Sequence, residues 1–205
     1  MGKYASIKEL CEHRVFYYFY QISQIPRESG HEQEVSNYVY RWAKEHGFFV
    51  IQDRYNNIFI RKGKPKTGEC RILLQAHMDM VCEKTVSSKH DFRKDPILWK
   101  IEGDYLTSGG ETTLGADDGI GMALAMAVLE DDKLDIPAIE VLFTTSEEED
   151  LSGAQGFDMS YVEAPFLVNL DHTNENEILC GSCGGIGVEV RIPVEWTEVL
   201  KGWKT

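Results

Sequence analysis

The stretch LLQAHMDMV, residues 73–81, closes an apolar run on a histidine and an aspartate two positions apart. With Arg71 and Ile72 the run reads RILLQA. It is short, aliphatic and preceded by the Gly/Pro/Lys segment 63–68, which are the length and flank of a buried strand. Strand side chains alternate between faces, so His77 and Asp79 share one. Such a pair is either a hydrogen-bonded polar tip or part of a binding site, and the choice depends on what else arrives at the same end of the strand.

Outward from this strand the pattern alternates. Upstream, FFVIQD and NIFIRK read as two further strands split by Asn56-Asn57. Before them, Ile7, Leu10, Cys11, Val15, Phe19 and Ile22 repeat at helical spacing, which predicts one helix over residues 6–24 stopped near Pro26. Val35, Tyr38, Val39 and Trp42 predict a second helix, with Gly47 as its C-terminal glycine. Downstream, the aperiodic CEKTVSSKHDFRKDPI predicts a long loop, and ILWKIEGDYLTS a strand, a Gly-Asp turn and a return strand. A helix rich in small residues is expected over 118–131, then strands AIEVLFTT and PFLVNL. Sheet and helix alternating from 70 to 171 predict an α/β domain.

Composition bounds the alternatives. A chain of 205 residues with 42% hydrophobic and 27% charged side chains buries one core and leaves a remainder. The longest span-like stretch, 120–129, is far short of the roughly 20 apolar residues a membrane helix needs, so no membrane partner is expected. The first twenty residues carry scattered charges and do not read as a signal peptide. Five cysteines, Cys11, Cys70, Cys82, Cys180 and Cys183, form an odd set that predicts reduced thiols and a cytoplasmic location. The formal charge of −13 repels phosphate backbones and argues against nucleic acid.

The polar groups at the strand ends belong together. His77 and Asp79 follow RILLQA, Glu147 and Glu148 follow AIEVLFTTS, and Asp171 follows FLVNL. In open α/β sheets the carboxyl edge is where ligands bind. Asp117, in TTLGADDG at the mouth of the small-residue helix, brings the set to six. Mixed imidazole and carboxylate donors suit zinc, with manganese or cobalt as substitutes. A carboxylate such as Asp117 is able to bridge two ions. Of the adjacent glutamates, one would bind metal while its neighbour removes a proton. TTLGADDGIG lacks the lysine and spacing of a phosphate loop. The CxxC at Cys180–Cys183 has no second pair to complete a closed zinc site.

Together LLQAHMDMV, HDFRKDPI, TTLGADDGIGMALAMAVL, SEEEDLSGAQGF and LVNLDHTNENEI resemble the aminoacyl-histidine dipeptidases, also called Xaa-His or cytosol non-specific dipeptidases, of the di-zinc aminoacylase and carboxypeptidase superfamily. The resemblance implies a zinc-exopeptidase-like catalytic domain, a mixed β-sheet flanked by helices, over 1–184. Residues 185–205, including a strand over 187–194, would begin a lid and dimerisation domain. It further implies two zinc ions, with His77 and Asp171 on one, Asp117 bridging both and Glu148 on the other. Asp79 and Glu147 would be the catalytic pair, Asp79 orienting His77 and Glu147 acting as general base. A cis peptide is implied between Asp117 and Asp118. The implied activity is dipeptide hydrolysis, with a homodimer for the full-length family. Family members are longer, and their catalytic domain resumes after the lid to supply a last histidine ligand. The other expectation is therefore a truncated, non-catalytic remnant that binds metal or peptide, or needs a second chain to complete the site.

Overall fold

A computed structural model describes residues 4–66, 68–136, 138–174, 176–181 and 190–195. The chain divides into two compact units, residues 1–173 and 174–205. In the second unit the described residues carry no helix or strand, Val190–Val194 included. The expected boundary at 184/185, the remainder of the expected 187–194 strand, and Cys183 of the CxxC lie outside the described residues.

The first unit is built on a five-stranded mixed sheet. Its strands are β1 (Phe49–Gln52), β2 (Ile58–Lys62), β3 (Ile72–His77), β6 (Ile139–Thr144) and β7 (Phe166–Asn169), in the spatial order β1-β2-β6-β3-β7. The β1-β2 and β2-β6 pairs are antiparallel, whereas β3 runs parallel to both β6 and β7. The hairpin β4 (Lys100–Glu102) and β5 (Tyr105–Thr107) stands apart and turns at Gly103-Asp104, as its sequence predicts.

Period-two alternation explains how the sheet is covered. Ile58, Ile60, Ala76, Val141 and Phe143 face one side and join the main core with α2 (Arg14–Ser23), α3 (Gln33–Glu45) and α4 (Ala116–Glu130). Their neighbours Phe59, Leu73 and Leu142 face the other side and meet Phe157, beyond the short helix α5 (Ser152–Gly156). α4 packs against α2 and β3, and its glycines and alanines allow the close approach.

One expected helix divides. Residues 6–24 form α1 (Ile7–Leu10) and α2, because the Glu12 and His13 amides bond three residues back, to Glu9 and Leu10, and close the first helix tightly. A Tyr4–His13 side-chain hydrogen bond of 2.9 Å holds the turn, and α2 restarts with Tyr18, Phe19 and Ile22 aimed into the core.

Candidate metal centre

Parallel pairing decides where the polar groups meet. The register sets His77 beside Thr144, so the ends of β3 and β6 leave the sheet at one edge, joined there by the end of β7. Residues 145–150 turn across this edge, and α4 begins beside it. Gly115, at φ +70°, starts that helix. Asp117 and Asp118 depart from helical angles, and the peptide bond between them is cis.

His77 is buried at 1% side-chain exposure and forms the floor of the site. Its Nε2 lies 3.0 Å from Asp117 Oδ1, 3.8 Å from Asp171 Oδ2 and 3.9 Å from Glu147 Oε2. Two donor groups result, His77–Asp117–Glu148 and His77–Glu147–Asp171, with the ligand atoms of each within 4.8 Å of one another. Five of the six residues expected from the sequence therefore converge. Asp117 is the most open of those at the imidazole, at 63% side-chain exposure. His172 belongs to neither group.

The electrostatics fit a cation. Burial first, and then neighbouring carboxylates, raise the pKa of Asp171, Glu147 and Glu148 above their ordinary values. Four carboxylates sharing one imidazole repel one another, and a divalent ion among them would relieve that repulsion. Burial opposes the charged form of His77, yet the carboxylates of Asp79, Asp118 and Asp117 prevail and raise its pKa to about 9. The donor set of one imidazole and hard carboxylate oxygens suits zinc, manganese or cobalt.

Asp79 sits behind the donors and is fully buried. His77 Nδ1 lies 3.1 Å from the Asp79 carbonyl and 3.4 Å from its carboxylate Oδ1. The carboxylate accepts hydrogen bonds from Ser29 Oγ (2.7 Å), the Glu147 amide (3.0 Å) and the Glu148 amide (3.1 Å). Burial acts against its ionisation, but the imidazole and these donors lower its pKa to about 2. Asp79 thus braces the glutamate turn as well as the imidazole.

Four residues absent from the expected set support the site. Asp118 accepts from the His77 amide (3.1 Å) and the Gly121 amide (3.2 Å); burial dominates its environment and raises its pKa to about 7. Arg27, Ser29 and Glu32 arrive from the segment between α2 and α3. The sequence signal for them was slight: they fall in the short stretch between the stop of the first predicted helix near Pro26 and the start of the second.

No family model matches the chain. Its sequence is 40% identical over 203 residues to the cytosol non-specific dipeptidase of Escherichia coli, which covers 98% of this chain and 42% of that protein. Among solved structures it matches the aminoacylhistidine dipeptidase of Vibrio alginolyticus with a TM-score of 0.78 and 38% identity, over 84% of this chain and 35% of that one. It matches the aminopeptidase PepT of Bacillus cereus with a TM-score of 0.65 and 25% identity, over 80% and 44%. The chain spans less than half the length of the curated relatives it matches.

The mixed sheet, its covering helices and these neighbours define a catalytic-domain fold of the zinc-exopeptidase class. Within that class, the chain resembles the aminoacyl-histidine, or cytosol non-specific, dipeptidases over the N-terminal part of those proteins.

Proposed function

We propose that this chain carries the metal-binding part of a dipeptidase active site, with a two-ion centre that takes zinc and acts on Xaa-His or a broader range of dipeptides. The observation that carries the reading is the approach of three carboxylates, from three separate segments, to within 3.9 Å of one buried imidazole nitrogen. His77 and Asp171 would hold one ion, Glu148 the other, and Asp117 both. When bound, the metal would supply Lewis acidity toward a peptide carbonyl and toward water.

The remaining chemistry falls to the side chains. Glu147 is half-buried, and its raised pKa brings its basicity nearer to neutral pH, where it would take a proton from water and return it to the leaving amine. Asp79 holds His77 from behind and clasps the glutamate backbone, so the base and one donor share a brace. A cytoplasmic location belongs to the same proposal, and a homodimer is proposed for the full-length proteins of the family. Among the described residues, no helix is long and apolar enough to cross a membrane.

The test is zinc stoichiometry after loading and exhaustive dialysis, compared with Asp117→Ala, followed by hydrolysis of Gly-His and of an uncharged dipeptide. Bound zinc that is lost in the variant supports the reading. A folded chain that retains no zinc would overturn it.

A further inference from the structure

Arg27 is 2% exposed and is among the largest fully buried side chains. Its Nη1 donates to the carbonyls of Met78 (2.9 Å) and Asp79 (2.8 Å), and its Nη2 donates to the carbonyl of Gly115. One planar group thus spans two backbone segments far apart in sequence. The first carries His77 and Asp79, and the second leads into Asp117. The Arg27 carbonyl also accepts from the Met80 amide at 3.2 Å, which locks its own segment to the same strand end.

We propose that Arg27 is the positioning residue of this metal centre: its guanidinium ties the segment bearing His77 and Asp79 to the segment bearing Asp117. Ser29 and Glu32, from the same stretch, extend the clamp to the glutamate turn. This inference rests on the metal reading above.

Three observations support a positioning role over simple packing. The first is the space made for the guanidinium. A Cβ at Gly119 would fall 2.8 Å from Nη2, and one at Gly115 would collide with Nη2 and with Met80 Sδ. Two glycines thus leave the volume that the guanidinium fills. The second is cost. Arg27 forms no close ion pair among the described residues, and its Nε has no hydrogen-bond partner among them. An apolar side chain of similar volume would fill a core at lower cost. The third is continuity along the stretch. Ser29 Oγ bonds Asp79 Oδ2, while Glu32 Oε1 accepts from the Ser146 amide (2.9 Å) and the Ser146 hydroxyl (3.3 Å). Ser146 immediately precedes Glu147 and holds a left-handed φ of +53°, a conformation that persists only where the surroundings enforce it. Metal donors from separate segments need such outside support, because an ion tolerates only small misplacements of its ligands.

The test compares the full chain with Arg27→Met and with Arg27→Lys, which keeps the charge but not the planar fork. Zinc affinity is measured by chelator competition, ligand geometry by the visible spectrum of bound cobalt, and local order by amide exchange. The expected result is zinc binding weakened about 10- to 100-fold with an altered cobalt spectrum. The Glu147 and Glu148 amides, which Asp79 holds, should exchange about tenfold faster while α3 amides such as Val39 keep their protection. Wild-type affinity and spectrum in a folded variant would overturn the proposal. So would an equal loss of protection in α3 and in the glutamate turn, which would make Arg27 a general stabiliser. If Arg27→Met does not fold, Arg27→Lys decides by the same criteria. If the unaltered chain binds no metal, the metal reading fails, and the exchange comparison alone decides whether Arg27 orders these segments.

Discussion

Replacing Asp79 by asparagine removes a charge and leaves the shape nearly intact. In the folded chain its carboxylate accepts three hydrogen bonds and faces His77 Nδ1 at 3.4 Å. Its pKa falls from 3.8 to about 2, a difference that corresponds to at most about 2.5 kcal/mol of stability at neutral pH. The substituted side chain would also turn an NH2 group toward one of these donors, at a further cost of about 1 kcal/mol. Asp79→Asn should therefore lose about 2–3 kcal/mol at pH 7, read from urea unfolding in the presence of a chelator. The pH dependence follows from the signs of the shifts. The depressed pKa of Asp79 contributes stability that is present above pH 4 and lost as pH falls toward 2. The raised pKa of His77 contributes stability that is full below pH 6.5 and lost as pH rises through 9. Both shifts report largely one interaction and are not summed. The gap between wild type and variant should thus be widest near pH 5–6 and narrow toward pH 9, where the turn amides still hold the carboxylate. Equal stability at pH 7, or a gap that grows between pH 7 and 9, would refute the reasoning.

Further outcomes follow from other neighbourhoods. Gly121→Ala places a Cβ against the Asp118 carboxylate that anchors the His77 amide, and should destabilise the chain by about 1–3 kcal/mol and lower zinc affinity, measured by thermal melts and chelator competition. Glu140, fully buried, pairs with Arg61 at 3.0 Å and accepts the Glu163 and Ala164 amides; Glu140→Ala should cost about 3–5 kcal/mol, and the same competition assay should find zinc affinity unchanged. Burial, followed by the charge of Glu28, raises the Cys82 thiol to a pKa of about 11, so at pH 8 only about one molecule in a thousand is thiolate. Timed iodoacetamide labelling read by mass spectrometry should modify the exposed Cys70 well before Cys82.

Much of this chain is legible locally. Strands β1, β2, β3, β6 and β7, the hairpin and helices α3 and α4 fall where periodicity and turn residues place them, because apolar spacing and glycine turns act over a few residues. The converging residues His77, Asp117, Glu147, Glu148 and Asp171 stand out for the same reason: each is a polar group at the end of an apolar run or at the mouth of a helix. The break at residues 11–13 did not stand out, since the apolar spacing continues across it and only the amide bonds to Glu9 and Leu10 close α1.

Local apolar spacing is enough to tell which segments alternate and which residue types reach the carboxyl edge of the sheet. The grip of Asp79 on the amides of Glu147 and Glu148, and the link that Arg27 makes among Met78, Asp79 and Gly115, arise from chain packing. These partners lie 51 to 88 residues apart, and they meet because β3 pairs parallel to β6 in a register that sets His77 beside Thr144. A slip of one residue would turn His77 to the opposite face, so long-range pairing, which local spacing does not encode, decides what touches what.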